Sequence, residues 1–328
     1  MLTRRQALTG ALALGVSGGL AGQFSFGQLL STSSPTVKTP VSFSVPDGAC
    51  DCHVHILVPE KFPYWSGRSY TPPSASPDDL MAFEKSIQMS RVVIVTPSVL
   101  GSDNSATIYG IEQVGRDRAR GVAVISPDMS AAQLRGLADK GIVGVRINLE
   151  TAGVFDPKAS AEKLAATVKQ IAGLPWHIQI YARLSVIAAL KDVFAAVPVT
   201  LVFDHFAGVR TAIDQPNGDF NAVLDLVRSG KAYVKISGAY RASAHAPNYS
   251  DLIPFAKLLI DANPDQILWG SDWPHTNSEP VVGRKPFDPA IPLPIDDGNV
   301  VNQLVRWAPE ASLRHRILVD NPSRLYRF

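Results

Sequence analysis

The sequence predicts a single α/β domain folded as a (β/α)8 TIM barrel. Three observations carry this. Short β-branched or apolar runs recur eight times along the chain. Stretches with helical apolar spacing separate most of them, and alternation of this kind gives a parallel sheet with helices outside. The segment 47–328 has the length of one such barrel, with no internal repeat and no sign of a second domain.

The strand candidates are 50–56, 92–96, 122–126, 143–147, 178–181, 199–203, 233–236 and 267–270. They are rich in Val, Ile and aromatic residues, whose shapes suit a pleated surface buried on both faces. The clearest helices between them are 131–139, 159–171, 188–197, 220–229 and 251–262. A doubly wound open sheet ranks second, because no Gly-rich dinucleotide fingerprint opens it. Two long loops, 57–79 and 276–298, follow the first and last strands. Barrel enzymes keep their sites at those strand ends, so both loops are expected to wall the pocket.

Residues 1–46 differ from the rest. Arg4, Arg5 and Lys38 are their only charges, and a weakly apolar run too short to span a membrane follows the arginine pair. This reads as an export signal over 1–22, of the twin-arginine type, with a Ser-, Thr- and Pro-rich linker over 23–46. A cytoplasmic tail is the alternative. The expected location is therefore the periplasm or beyond, with no membrane span in the mature protein. The leader contributes +3 to a whole-chain charge of +2, which leaves the remainder at −1. That balance gives no reason to expect a nucleic-acid partner. Cys50 and Cys52 lie on one strand at a spacing that points both the same way and disfavours a bridge.

Asp51-Cys52-His53-Val54-His55 is the strongest chemical signal. Side chains alternate along a strand, so His53 and His55 share a face, roughly 7 Å apart. Two imidazoles at a strand end can hold one divalent cation. Gly270-Ser271-Asp272-Trp273-Pro274-His275 ends the eighth strand. Barrel closure brings Asp272 beside the first strand, where it could ligate a metal, accept a proton from water, or both. In Phe203-Asp204-His205, alternation allows one of the two polar residues to face inward, and His205 is the one expected. Arg146 lies within a strand, where a permanent cation is costly unless it meets an anion, so it is expected to clamp a carboxylate. Tyr70, Ser98 with Asn104, Tyr181 and Tyr240-Arg241 are weaker candidates, while His177, His245 and His315 read as structural.

Together these residues resemble the amidohydrolase superfamily, in the branch that contains 2-pyrone-4,6-dicarboxylate lactonase. Phe62-Pro63-Tyr64, Tyr70-Thr71-Pro72, Gly101-Ser102-Asp103-Asn104, Gly144-Val145-Arg146, Asp204-His205, the segment 269–275 and Asp297-Gly298 fall in the same order, as does the ending 318–326. The resemblance implies a lactone site lined by His53, His55, His205, Asp272 and Arg146. It adds Tyr70, Ser98, Tyr181 and His275 as substrate contacts. It implies one divalent metal, zinc first, or none, on His53, His55, His205 and Asp272. Two departures matter. No bridging Lys or Glu follows the fourth strand, which argues against two metals. The family's second arginine is also missing from Glu150-Thr151-Ala152-Gly153.

The expected function is hydrolysis of a small carboxylated lactone, with Asp272 as general base. A lactone isomerase or a zinc-dependent non-oxidative decarboxylase on the same site are the alternatives, and a non-enzymatic binding protein fits the His and Asp pattern least. The missing arginine favours substrates with one carboxylate over the dicarboxylate, unless Arg183, Arg210 or Arg241 supplies the second cation.

Overall fold

The computed structural model describes residues 38–279 and 281–328. The expected signal over 1–22, and the linker up to residue 37, lie outside the described residues.

Eight parallel strands form one sheet in sequence order. They are β1 (Cys50–Val54), β2 (Arg91–Val95), β3 (Ala119–Ala123), β4 (Ile142–Asn148), β5 (His177–Tyr181), β6 (Leu201–Phe203), β7 (Ala232–Ser237) and β8 (Ile267–Gly270). The barrel closes at its C-terminal end. Asp272 N–H donates to His53 O at 2.9 Å and His55 N–H to Trp273 O at 3.0 Å. The buried Asp51 carboxylate adds a clasp, its Oδ1 accepting from Ser271 N–H at 3.0 Å. This closure places Asp272 against the first-strand histidines.

The helices are α1 (Pro77–Ile87), α2 (Ser105–Val114), α3 (Ala131–Asp139), α4 (Pro157–Gln170), α5 (Leu184–Ala189), α6 (Lys191–Ala196), α7 (Phe220–Arg228), α8 (Ala239–Ala242), α9 (Ile253–Ala262), α10 (Asp297–Trp307), α11 (Ala311–His315) and α12 (Asn321–Tyr326). Local chemistry sets several starts. Ser76 and Asp79 form a capping box before α1, with Pro77 in its first turn. Ser130 and Gln133 do the same for α3. The expected helix 188–197 is two short helices meeting at Leu190. The third strand starts earlier than its Val-rich segment suggests, because Ala119–Gly121 already pair with β2.

Alternation sorts the strand residues into two cores. Val92, Ile94, Val145, Ile178 and Ile180 pack outward in the large core beneath the helices. Cys50, Cys52, Val93, Val95, Val202, Tyr233 and Leu268 form a second cluster with Leu325 and Tyr326 of α12. Both thiols are free. His177 packs edge-on against Tyr326 with ring centroids 5.3 Å apart, a structural role as expected.

Residues 38–46 carry more structure than a tether. Lys38 and Thr39 N–H donate to Asp296 Oδ1, both at 3.1 Å, and Ser42 N–H donates to Asn302 Oδ1 at 2.7 Å. Val41, Phe43 and Val45 pack against the core. The period-two alternation of Val41-Ser42-Phe43-Ser44-Val45 explains this: one side is apolar and the other hydrogen-bonds.

Candidate active site

The site rises in two layers above the inner core. The lower layer is a buried ion network. By strand alternation Arg146, Gln179 and Lys235 all point inward, and Arg146 and Gln179 are direct neighbours in the β4–β5 register. Asp204 sits among them. Its Oδ2 accepts from Arg146 Nε at 3.3 Å, Arg146 Nη2 at 3.2 Å and Gln179 Nε2 at 3.0 Å. Its Oδ1 lies 3.4 Å from Lys235 Nζ and 3.2 Å from His53 Nδ1. Lys235 Nζ also donates to Gln179 Oε1 at 2.7 Å. Burial raises the Asp204 carboxyl, but His53, Lys235 and Arg146 outweigh it and hold the group well below the usual carboxylate range.

This network corrects two expectations. Asp204 faces inward as well as His205. Alternation fails here because β6 ends at Phe203 and the chain turns left-handed at His205, Phe206 and Ala207, with φ of 48°, 55° and 56°. Extended Asp204 points into the barrel, and the turn then folds His205 in above it. Arg146 spends its guanidinium on Asp204 rather than standing free for a substrate carboxylate, although it still borders the cleft. Lys235 was not singled out in the sequence, because a buried lysine can shed its proton and the argument from a permanent cation that marks Arg146 does not carry over to Val234-Lys235-Ile236.

The upper layer is the candidate catalytic cluster. His55 Nδ1 is bonded to Val95 O at 2.7 Å, and His205 Nδ1 to Ser237 Oγ at 3.0 Å. With His53 Nδ1 against Asp204, each imidazole has one nitrogen committed to the protein. The other three nitrogens converge on Asp272 Oδ1, with Nε2 of His55, His53 and His205 at 3.6, 3.8 and 3.9 Å. Burial pushes His53 well below the usual imidazole range and His205 down to about 4, so both are neutral near pH 7. Asp272 Oδ2 accepts from Tyr240 Oη at 2.7 Å and from Arg241 Nε. Burial raises Asp272, but Arg241 and the histidines outweigh it, keeping the group anionic.

The backbone is specialised at this point. Five of the eight described non-glycine residues with positive φ are His205, Phe206, Ala207, Asp272 and His275. Such conformations cost about 1–3 kcal/mol each and persist where the surroundings over-determine them. Gly238 makes room for the cluster, since a Cβ there would lie 2.8 Å from His205 Nδ1.

The donor set fits one divalent cation. His53 Nε2 and Asp272 Oδ1 are buried with no hydrogen-bond partner. His53, His55 and Asp272 offer ligand atoms within 4.8 Å of one another. A second group, His53, Asp204 and His205, meets the same distance test. There, however, Lys235 and Arg146 already neutralise the carboxylate. Elemental analysis of the purified protein is therefore expected to find at most one tightly bound divalent ion per chain, and two would contradict this charge count.

A narrow cleft of about 20 Å³ opens on the cluster, bordered by His55, Tyr70, Ser98, Tyr181, Arg241 and Asp272 among others. Tyr70, Ser98 and Tyr181 thus all border this cleft. Loops 57–79 and 276–298 wall the cleft together: Tyr70 Oη meets Thr276 Oγ1 at 3.4 Å, and Ala290 N–H donates to Thr71 O at 2.7 Å. His275 differs from expectation. It is fully buried behind Tyr240, with Nδ1 3.2 Å from Tyr240 Oη and Nε2 2.8 Å from Asp297 Oδ2, so it supports Tyr240 instead of lining the cleft. Asn104 is structural too, tying Thr96, Ser102 and Val124 together.

The comparisons agree with this geometry. The chain is 36% identical over 297 residues to 4-sulfomuconolactone hydrolase of Rhizobium radiobacter, covering 88% of this chain and 93% of that protein. It is 35% identical over 295 residues to the 2-pyrone-4,6-dicarboxylate hydrolase of Comamonas testosteroni, covering 87% and 92%. A crystal structure from Agrobacterium tumefaciens shares the fold with a TM-score of 0.74 at 24% identity, covering 88% of this chain and 99% of that one. The amidohydrolase family model "Amidohydro_2" matches residues 50–328. A barrel of eight parallel strands, three imidazoles and a carboxylate at its C-terminal mouth, and a family match over nearly the whole described chain lead to one statement: this protein is an enzyme of the amidohydrolase family.

Proposed function

We propose that the enzyme hydrolyses a small carboxylated lactone. One observation carries this reading: Asp272 Oδ1 is a buried anionic acceptor, free of protein donors, at the edge of a cleft and ringed by three imidazole nitrogens. The relatives named for 4-sulfomuconolactone and 2-pyrone-4,6-dicarboxylate support the substrate class.

The chemistry follows from the placement. A water beside Asp272 Oδ1 attacks the lactone carbonyl carbon as Oδ1 takes its proton. The acyl C–O bond breaks, and the ring oxygen leaves with that proton, giving a hydroxy acid. Arg241 and Tyr240 hold Oδ2, which fixes Oδ1 toward the cleft. Tyr181 and Ser98 border the cleft beside Asp272. A divalent cation on His53, His55, His205 and Asp272, zinc by the nitrogen-rich donor set, would polarise the carbonyl and acidify the water.

A lactone panel followed by proton release tests this. Hydrolysis liberates acid, isomerisation liberates none, and decarboxylation evolves carbon dioxide. Acid release that tracks lactone consumption is expected. Lactone consumption without acid would replace hydrolysis by isomerisation.

We further propose export by the twin-arginine route, supported by Arg4-Arg5 and the short apolar run behind them. Residues 1–46 fused to a reporter are expected to carry it to the periplasm, and Arg4→Lys with Arg5→Lys to stop it. A reporter left in the cytoplasm by the native leader would overturn the assignment.

A further inference from the structure

Four arginines gather at the N-terminal ends of the strands, the end of the barrel away from the catalytic cluster. Arg91 opens β2, Arg120 lies near the start of β3 with Arg116 just before it, and Arg327 follows α12. Arg120 is the centre of the group. Its Nη2 donates to Arg327 O at 2.7 Å, and its Nη1 to Ala119 O at 2.9 Å and to Arg116 O. Arg120 and Arg91 share the Phe328 ring, with Cζ 4.7 and 5.2 Å from its centroid. Arg91 Nη1 also donates to Ser323 Oγ at 2.8 Å. Two guanidinium groups are thus fixed by backbone, hydroxyl and ring, and the backbone of Arg116 and Arg327 is drawn against them.

The group has no internal counter-ion. None of the four arginines forms an ion pair among the described residues, and residues 1–37 contain no Asp or Glu to supply one. Asp117, the nearest acid in sequence, pairs with none of them. Arg116 and Arg327 are exposed, and their guanidinium groups make no hydrogen bond among the described residues. Burial, and then Arg116, Arg91 and Arg327, hold Arg120 below the ordinary value of an arginine. Arginine does not escape such crowding by shedding its proton, so the repulsion stays until an anion relieves it. Free N–H forks over a fixed cationic floor suit a tetrahedral oxyanion. The patch is also local. Residues 47–328 carry a net charge of −1 with these four cations included. A nucleic acid or an anionic membrane, reaching past the patch, would meet a surface of like charge, whereas a small anion would not.

We propose that this face binds one small polyvalent oxyanion of the phosphate or sulfate type, held by Arg116 and Arg327 beside the fixed pair Arg91 and Arg120. The bound anion stabilises the end of the barrel where the chain finishes its last helix. The site is separate from the catalytic mouth and does not depend on the proposed hydrolase function.

The test is thermal unfolding of the full-length protein in chloride and in inorganic phosphate at equal ionic strength. Phosphate can also meet the catalytic mouth, and it strengthens apolar burial in general. Both effects are shared by the wild-type protein and the double variant Arg116→Gln with Arg327→Gln, so the difference between the two proteins is the measure. At about ten times its dissociation constant, phosphate is expected to raise the wild-type midpoint by about 3 °C more than that of the variant. In chloride the variant is expected to melt no earlier than the wild type, because two mutually repelling cations are gone. Equal gains from phosphate in the two proteins would overturn the site. A variant that melts earlier in chloride and still gains as much would show the two arginines to be structural. Flotation with phosphatidylglycerol vesicles that needs the same two arginines, without a wild-type excess in phosphate, would overturn the free anion in favour of a membrane surface.

Discussion

Replacing Asp272 by Asn is expected to lower kcat on a hydrolysed lactone by about a thousandfold, with the fold retained. The loss has two sources. Asn cannot accept a proton from water. It also reverses polarity at the centre of the cluster. Tyr240 and Arg241 both donate to Oδ2, so the amide must turn its oxygen toward them. Its NH2 group then points at Nε2 of His53, His55 and His205, where an acceptor stood before. Shape is conserved, so circular dichroism and the thermal midpoint should change little. Asp272 is also a candidate metal ligand, so metal content must be measured beside turnover. A variant with its metal retained and near wild-type kcat would show that Asp272 is not the base.

Much of this site was legible because it obeys strand alternation. His53 and His55 sit two apart and meet at one point, and Asp272 reaches them because barrel closure brings the last strand to the first. The parts that were not legible lie where alternation ends. Asp204 was set aside because neighbours on a strand face opposite ways, but β6 stops one residue before it. His275 follows Asp272 closely in sequence, yet a left-handed backbone at both residues turns it away from the cleft toward Asp297. Lys235 and Gln179 lie inside strands and obey alternation. Their significance shows only once the strand order makes them neighbours of Asp204.

The lower ion network carries the second large prediction, on stability. Asp204 is the only carboxylate that Arg146 and Lys235 touch among the described residues, and all three side chains are almost fully buried. Asp204→Ala would leave Arg146 as a buried permanent cation without a counter-ion and would remove the anion that opposes loss of the Lys235 proton, which burial already favours. Removing one partner of a buried pair costs about 3–5 kcal/mol, and Arg146 cannot shed its charge, so a loss within that range is expected. Lys235→Met is milder, because Met matches the lysine stem and Asp204 keeps Arg146 and His53. The double variant decides whether the charges are coupled. With Lys235 already replaced, Asp204→Ala strands only Arg146, so the two changes should cost less together than their sum. Denaturant unfolding with unchanged slopes gives the three values directly. Strict additivity would show that Lys235 and Asp204 contribute independently, and the network would then be a set of separate contacts rather than the coupled platform on which His53 rests.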